Sequence, residues 1–178
     1  SQKKVLLPQR ITSFELNQPP GQTNVFLLSQ KGMYPWELSG SFTKGIQAGR
    51  WCEQSCRMLL YRPVGKYKPH GVTLHMTLPG LNVKHPVRLI VTMQAHTGKV
   101  NTLDFEELTQ QMLNEQHTEN SINKEYVFSN SKDSYPLPVE FRKHQLWLIS
   151  LKTDRTIVPK DHDPNSTDDR KLGVRVLF

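Results

Sequence analysis

Short β-type runs, broken every few residues by proline, glycine or asparagine, recur along most of this chain and restrict it to folds built from antiparallel strands. The clearest run is Val72-Thr73-Leu74-His75-Met76-Thr77-Leu78. Strict alternation there places Val72, Leu74, Met76 and Leu78 on one face, and Pro79-Gly80 ends it. Further runs lie at 11–16, 25–28, 57–61, 87–93 (with a turn at 95–99), 126–128, 146–151 and 172–178. One helix interrupts them. Asp104 reads as its N-cap with Glu107 completing a capping box; Phe105, Leu108 and Met112 share a face, and the pattern fades near Gln116. The polar stretch 117–124 reads as a loop. Helices of about 10–15 residues, which parallel crossovers need, do not recur. The expected fold is therefore mainly β: a two-layer antiparallel β-sandwich, jelly-roll-like, with one short helix. Residues 1–10 read as an arm or linker remnant and 11–178 as one domain.

The net charge of +7 is unevenly spread. Residues 1–100 carry thirteen Lys and Arg against only Glu15, Glu37 and Glu53, whereas residues 101–178 carry ten against thirteen acids. A front half so basic attracts anionic partners: phosphorylated glycans, lipid headgroups or nucleic acid. The apolar runs fall far short of the roughly 20 residues a spanning helix needs, so no transmembrane segment is expected. The chain opens at Ser1, as a processed protein or part of a longer one would.

The two cysteines lie in Arg50-Trp51-Cys52-Glu53-Gln54-Ser55-Cys56-Arg57. With no second pair, a four-cysteine zinc site cannot form. The C-x-x-x-C spacing also differs from the redox motif C-x-x-C. Two readings stay open: a local disulfide across a turn, which places the chain in an oxidising compartment, or two free thiols.

The most specific segment runs Pro159-Lys160-Asp161-His162-Asp163-Pro164-Asn165-Ser166-Thr167-Asp168-Asp169-Arg170-Lys171-Leu172-Gly173-Val174. By its chemistry alone, Pro164-Asn165-Ser166 is a turn, and Asp168 is placed to accept backbone N–H groups or clasp Arg170. Gly173 permits close backbone approach. These three residues, Asp168, Arg170 and Gly173, read as structural. The segment resembles the ending of a β-sandwich accessory domain of bacterial glycosyltransferases and periplasmic phosphoglycerol transferases, in which a Pro and a turn lead to Asp-Pro-Arg-x-Leu-Gly-Val. Asp168, Arg170, Leu172, Gly173 and Val174 match that pattern, and Asp169 stands in place of the Pro. The early pair Arg50-Trp51, the strand 74–78 and the strand and turn 87–98 agree with it. The resemblance spans 45–178, is dense only over 159–174, and leaves the helix unexplained.

Chemistry-bearing patterns are few. Asp161-x-Asp163-x-Asn165 copies the start of a calcium loop, but Ser166 and Leu172 stand where that loop needs Gly and a bidentate Glu. The seven histidines form no H-E-x-x-H or H-x-H pattern and read as surface residues. Nucleophile elbows, S-x-x-K and P-loops are missing. Neither a metal, a cofactor nor a catalytic set is expected. Aromatic residues offer the binding candidates: Tyr34 and Trp36 in a Gly- and Pro-bounded segment, and Arg50-Trp51 after Gly49. Their faces suit sugar rings, although a core role for the two tryptophans competes with a platform role. Trp147 reads as core.

The resemblance, taken with the strand pattern and the lack of a reactive constellation, implies a non-catalytic accessory or carbohydrate-binding module of bacterial cell-envelope glycan modification, periplasmic or otherwise exported. It would bind a saccharide or anionic glycan, as a fragment of or partner to a membrane-bound transferase. The alternative is a basic interaction protein taking an anionic polymer, nucleic acid or an acidic protein partner. Nucleic acid ranks low because no RNP or helix-turn-helix pattern occurs.

Overall fold

The computed structural model describes residues 26–41, 45–62, 71–78, 84–96, 104–115, 121–130, 133–141 and 146–178. The expected arm at 1–10, the strand at 11–16, the Pro79-Gly80 stop and most of the turn at 95–99 lie outside them. In chain order the strands are β1 (Phe26–Met33), β2 (Glu37–Ser41), β3 (Gly45–Tyr61), β4 (Gly71–Thr77), β5 (Val87–Ala95), β6 (Ser121–Phe128), β7 (Ser134–Glu140), β8 (Leu146–Thr153) and β9 (Arg175–Leu177). Helix α1 (Phe105–Asn114) precedes β6, and the single helical turn α2 (Pro159–His162) lies between β8 and β9. The protein is mainly β, with an antiparallel sheet nearly closed into a barrel.

Strand β3, 17 residues long, organises the sheet. Along one edge it pairs first with β2 and then with β1. Along the other it pairs with β9 over Gly49–Trp51 and with β8 over Ser55–Tyr61. Strands β5 and β6 follow β8, whereas β4 and β7 follow β9. The sheet thus forks around Cys52–Ser55 into two arms. At their far ends Tyr135 of β7 donates to the Val127 carbonyl at 2.7 Å and packs against the Phe128 and Tyr126 rings of β6.

Alternation along each strand supplies the core between the arms. Val87, Leu89, Val91, Met93 and Ala95 of β5 turn inward, as do Leu74 and Met76 of β4, Trp147, Ile149 and Leu151 of β8, and Val176 of β9. Each such aliphatic side chain contributes roughly 1.5–3 kcal/mol by leaving water. The outward residues Leu59, Tyr61, Leu146 and Leu148 are also buried, because Leu108 and Met112 of α1 lie over them. That second cover explains why β8 reads as a continuous apolar run instead of an alternating one. Asp104 caps α1 as expected, accepting the Glu107 N–H at 3.1 Å. At the other end Gln94 donates to the carbonyls of Met112 and Glu115 and ties the helix to β5.

Two expectations are corrected, the loop over 121–124 and the final strand over 172–178, and β7 adds a strand for which the sequence carried no expectation. Residues 121–124 belong to β6 and are no loop: pairing with β5 imposes a strand on an edge whose side chains are mostly exposed, so no hydrophobic period marks it. β7 contains Pro136 and Pro138, which suit an edge strand paired on one side only and mask it in the sequence. The final strand is only Arg175–Leu177, while Leu172 forms an isolated bridge with Ile157.

Candidate functional site

At the fork β3 carries extra chain. Lys31 pairs with Arg57 and Met33 with Cys52, so β1 advances two residues while β3 runs through five. Glu53, Gln54 and Ser55 form the resulting exposed excursion, closed at its base by the Cys52–Cys56 disulfide with Cα atoms 5.5 Å apart. Four residues of extended strand would otherwise span roughly 13 Å. Gly32 lies beneath the excursion at φ 74°, and a side chain there would strike the Ser55 carbonyl oxygen.

Beside this excursion the outer face of the β1–β3–β8–β5 region is left open by α1. Cross-strand register assembles two rows there. The first runs Lys31, Arg57, Ser150, Thr92 across four strands; the second runs Ser55, Lys152, Ile90. Together with Gly32 and Glu53 they line a trough of about 510 Å³. Lys31 and Lys152 are exposed and Arg57 half-buried, and none has an ion-pair partner among the described residues. Ile90 is 52% exposed and supplies an apolar floor. Glu106 and Thr109 of α1 border the same cations at the helix end. Chemically, the trough sets cationic side chains beside hydroxyl groups, with Glu53 and Glu106 at its edges.

The aromatic candidates are brought together elsewhere, under the C-terminal segment. Arg170 is held by Asp168 through Nε–Oδ1 at 2.9 Å and Nη2–Oδ2 at 2.8 Å, and reaches Glu37 Oε1 at 2.6 Å. Glu37 Oε2 in turn accepts the Trp51 indole N–H at 3.0 Å. Three guanidinium groups lie over three rings: Arg170 over Tyr34, Arg50 over Trp36 and Arg175 over Trp51, at 5.2–5.5 Å. Arg50 also donates to the Tyr34 carbonyl, and Trp36 meets Phe178 edge-on at 4.9 Å. Trp51 and Arg50 are 8% and 7% exposed. Burial lowers the Arg50 pKa, whereas Arg170 pulls the Asp168 carboxyl below the usual carboxylate range and is itself raised by Asp168 and Glu37. Backbone bonds complete the strap: Gly173 N–H to Cys52 O at 2.7 Å, Cys52 N–H to Val174 O at 2.8 Å, and Phe178 N–H to Ala48 O at 3.1 Å. A methyl on Gly173 would collide with the Glu53 carbonyl, so the strap passes close to the β3 backbone there, before β9 begins.

Sequence reasoning singled out Tyr34, Trp36, Arg50, Trp51, Asp168, Arg170 and Gly173, and the structure gathers all of them around the strap. It passed over Glu37, the hub between Arg170 and Trp51. It also passed over the trough residues Lys31, Arg57 and Lys152, whose shared face emerges only from register. Asp163 accepts the Asn165 N–H at 2.9 Å, an Asx turn, and among the described residues no group of three or more His, Cys, Asp and Glu is placed to hold a metal. Trp147 is buried and donates to the Glu140 carbonyl. No described helix is long and apolar enough to cross a membrane. Compared with known protein families and with curated proteins, the chain matches none.

Proposed function

We propose that this chain is an exported, non-catalytic accessory module that binds an anionic glycan of the bacterial cell envelope, beside or within a membrane-bound glycan-modifying transferase. The observation that carries the reading is the open trough, with Lys31, Arg57 and Lys152 on one sheet face and no counter-charge bonded to them among the described residues. The motif at 159–174, with its resemblance to a β-sandwich accessory domain, supports the cell-envelope setting. The Cys52–Cys56 disulfide agrees with an oxidising compartment. The ring faces of Tyr34, Trp36 and Trp51 already carry guanidinium groups, so in this reading the quartet they form with Arg50 holds the strap and the trough takes the ligand.

A panel of neutral and anionic envelope glycans, with heparin and duplex DNA beside them, tests this across a salt series. Preference for anionic glycans, weakening as salt screens the cations, is expected. Equal retention of heparin and DNA would favour the basic interaction protein instead. Failure to retain any glycan would remove the proposal.

A further inference from the structure

Resting on that reading, we infer that the trough selects a saccharide bearing a phosphate monoester, with the phosphoryl group between Lys31 and Arg57 and the sugar lying over Ser150 and Thr92 toward Ile90. Lys31 and Arg57 are direct cross-strand partners, so their β-carbons stand about 4.5–5.5 Å apart on one face. Like charges so placed repel, and neither is neutralised by an ion pair among the described residues. Two adjacent uncompensated cations are matched by a dianion. A phosphate monoester carries about −1.5 to −2 at neutral pH, whereas the single charge of a uronate leaves one cation unmatched. The planar fork of Arg57 further suits two oxygens of one phosphoryl group.

The same row continues with Ser150 and Thr92 on the next two strands, each step about 4.8 Å. Each of these two hydroxyls can donate to or accept from the hydroxyls of a pyranose, and exposed Ile90 offers a surface to its C–H face. Lys152, beside Ile90 in the second row, extends the positive field along the sugar. Negative groups border the trough as well: Glu53 on the excursion and Glu106 at the helix end. Glu53 disfavours anionic charge at the excursion end, whereas Glu106 borders the Lys31–Arg57 pair itself without an ion pair to either among the described residues. The volume of about 510 Å³ falls within the range of small-ligand sites.

The test is calorimetric titration of the full chain with three probes at fixed salt: maltohexaose, singly phosphorylated maltohexaose and a maltohexaose oxidised to carry one carboxylate. Lys31→Gln, Arg57→Gln and the distant control Lys160→Gln are compared, with unfolding midpoints confirming that each folds. The phosphorylated sugar should bind most tightly, weakening about tenfold or more in Lys31→Gln and Arg57→Gln and unchanged in Lys160→Gln. Equal affinity for the phosphorylated and carboxylated sugars, or affinity untouched by both trough variants, would overturn the phosphate assignment and leave glycan binding standing. Absence of binding to all three would remove the glycan-binding reading beneath it.

Discussion

Replacing Gly173 by alanine probes the joint between the C-terminal strap and the fork of the sheet. The added methyl would lie inside contact distance of the Glu53 carbonyl oxygen, and 3.2 and 3.3 Å from Thr153 Oγ1 and the Cys52 carbonyl oxygen. Two of those three are backbone atoms of β3, so relief requires moving the strap. Such a movement endangers the paired bonds Gly173 N–H to Cys52 O and Cys52 N–H to Val174 O. At about 1 kcal/mol each, with about 1–3 kcal/mol for overpacking and an opposing gain of about 0.4–1 kcal/mol from a stiffer unfolded chain, the net loss is about 2–4.6 kcal/mol. For a chain of this length that lowers the thermal midpoint by about 4–18 °C. Gly49→Ala is the internal comparison, because the nearest atoms its methyl would meet are side-chain atoms of Arg175 and Leu177 and not backbone. Urea unfolding followed by tryptophan fluorescence should rank wild type above Gly49→Ala and Gly49→Ala above Gly173→Ala. Equal midpoints for Gly173→Ala and wild type would refute the close-approach argument.

Four further outcomes follow from the same geometry. Lys31→Glu faces Arg57 with an opposite charge, so it should stabilise the free protein by about 0.2–1 kcal/mol in urea unfolding while removing anion binding; destabilisation would contradict the like-charge pairing. Glu37→Leu leaves the nearly buried Trp51 indole N–H without its acceptor and should cost about 1–3 kcal/mol in the same assay, whereas Glu37→Gln, which keeps a carbonyl acceptor, should cost less. Asp168 has a lowered folded pKa, so its contribution is complete above its ordinary range near pH 4 and disappears as pH falls through the folded value. An acid titration of stability should therefore lose part of its slope in Asp168→Asn. Reducing Cys52–Cys56 should cost about 2 kcal/mol, the loop-closure value for so short a ring, read as a drop in midpoint with reductant; no drop would mean that Gly173 and Val174 hold the excursion unaided.

The parts of this fold that are readable in the sequence are those dictated locally. Val72 to Leu78 alternates because β4 has one face in the core, and Asp104 and Glu107 mark α1 because a helix end needs an acceptor. Asp168, Arg170 and Gly173 are recognisable because a short-range clasp and a close approach demand particular residue types. What escapes is set by distant pairing. Ser121 to Lys124 has no period of its own and becomes strand only against β5. Glu37 gains its role from Arg170, 133 residues away. Lys31, Arg57 and Lys152 are ordinary outward-facing residues until register sets them side by side. A basic front half hints at such a surface but cannot place it.

Amide chemical shifts, followed by NMR during titration with a singly phosphorylated oligosaccharide, discriminate most directly between the trough and the aromatic cluster. The account predicts shifts concentrated at Lys31, Gly32, Ser55, Arg57, Ser150 and Lys152, with the indole signals of Trp36 and Trp51 unmoved. Perturbation centred on Tyr34, Trp36 and Trp51, with a silent trough, would contradict it.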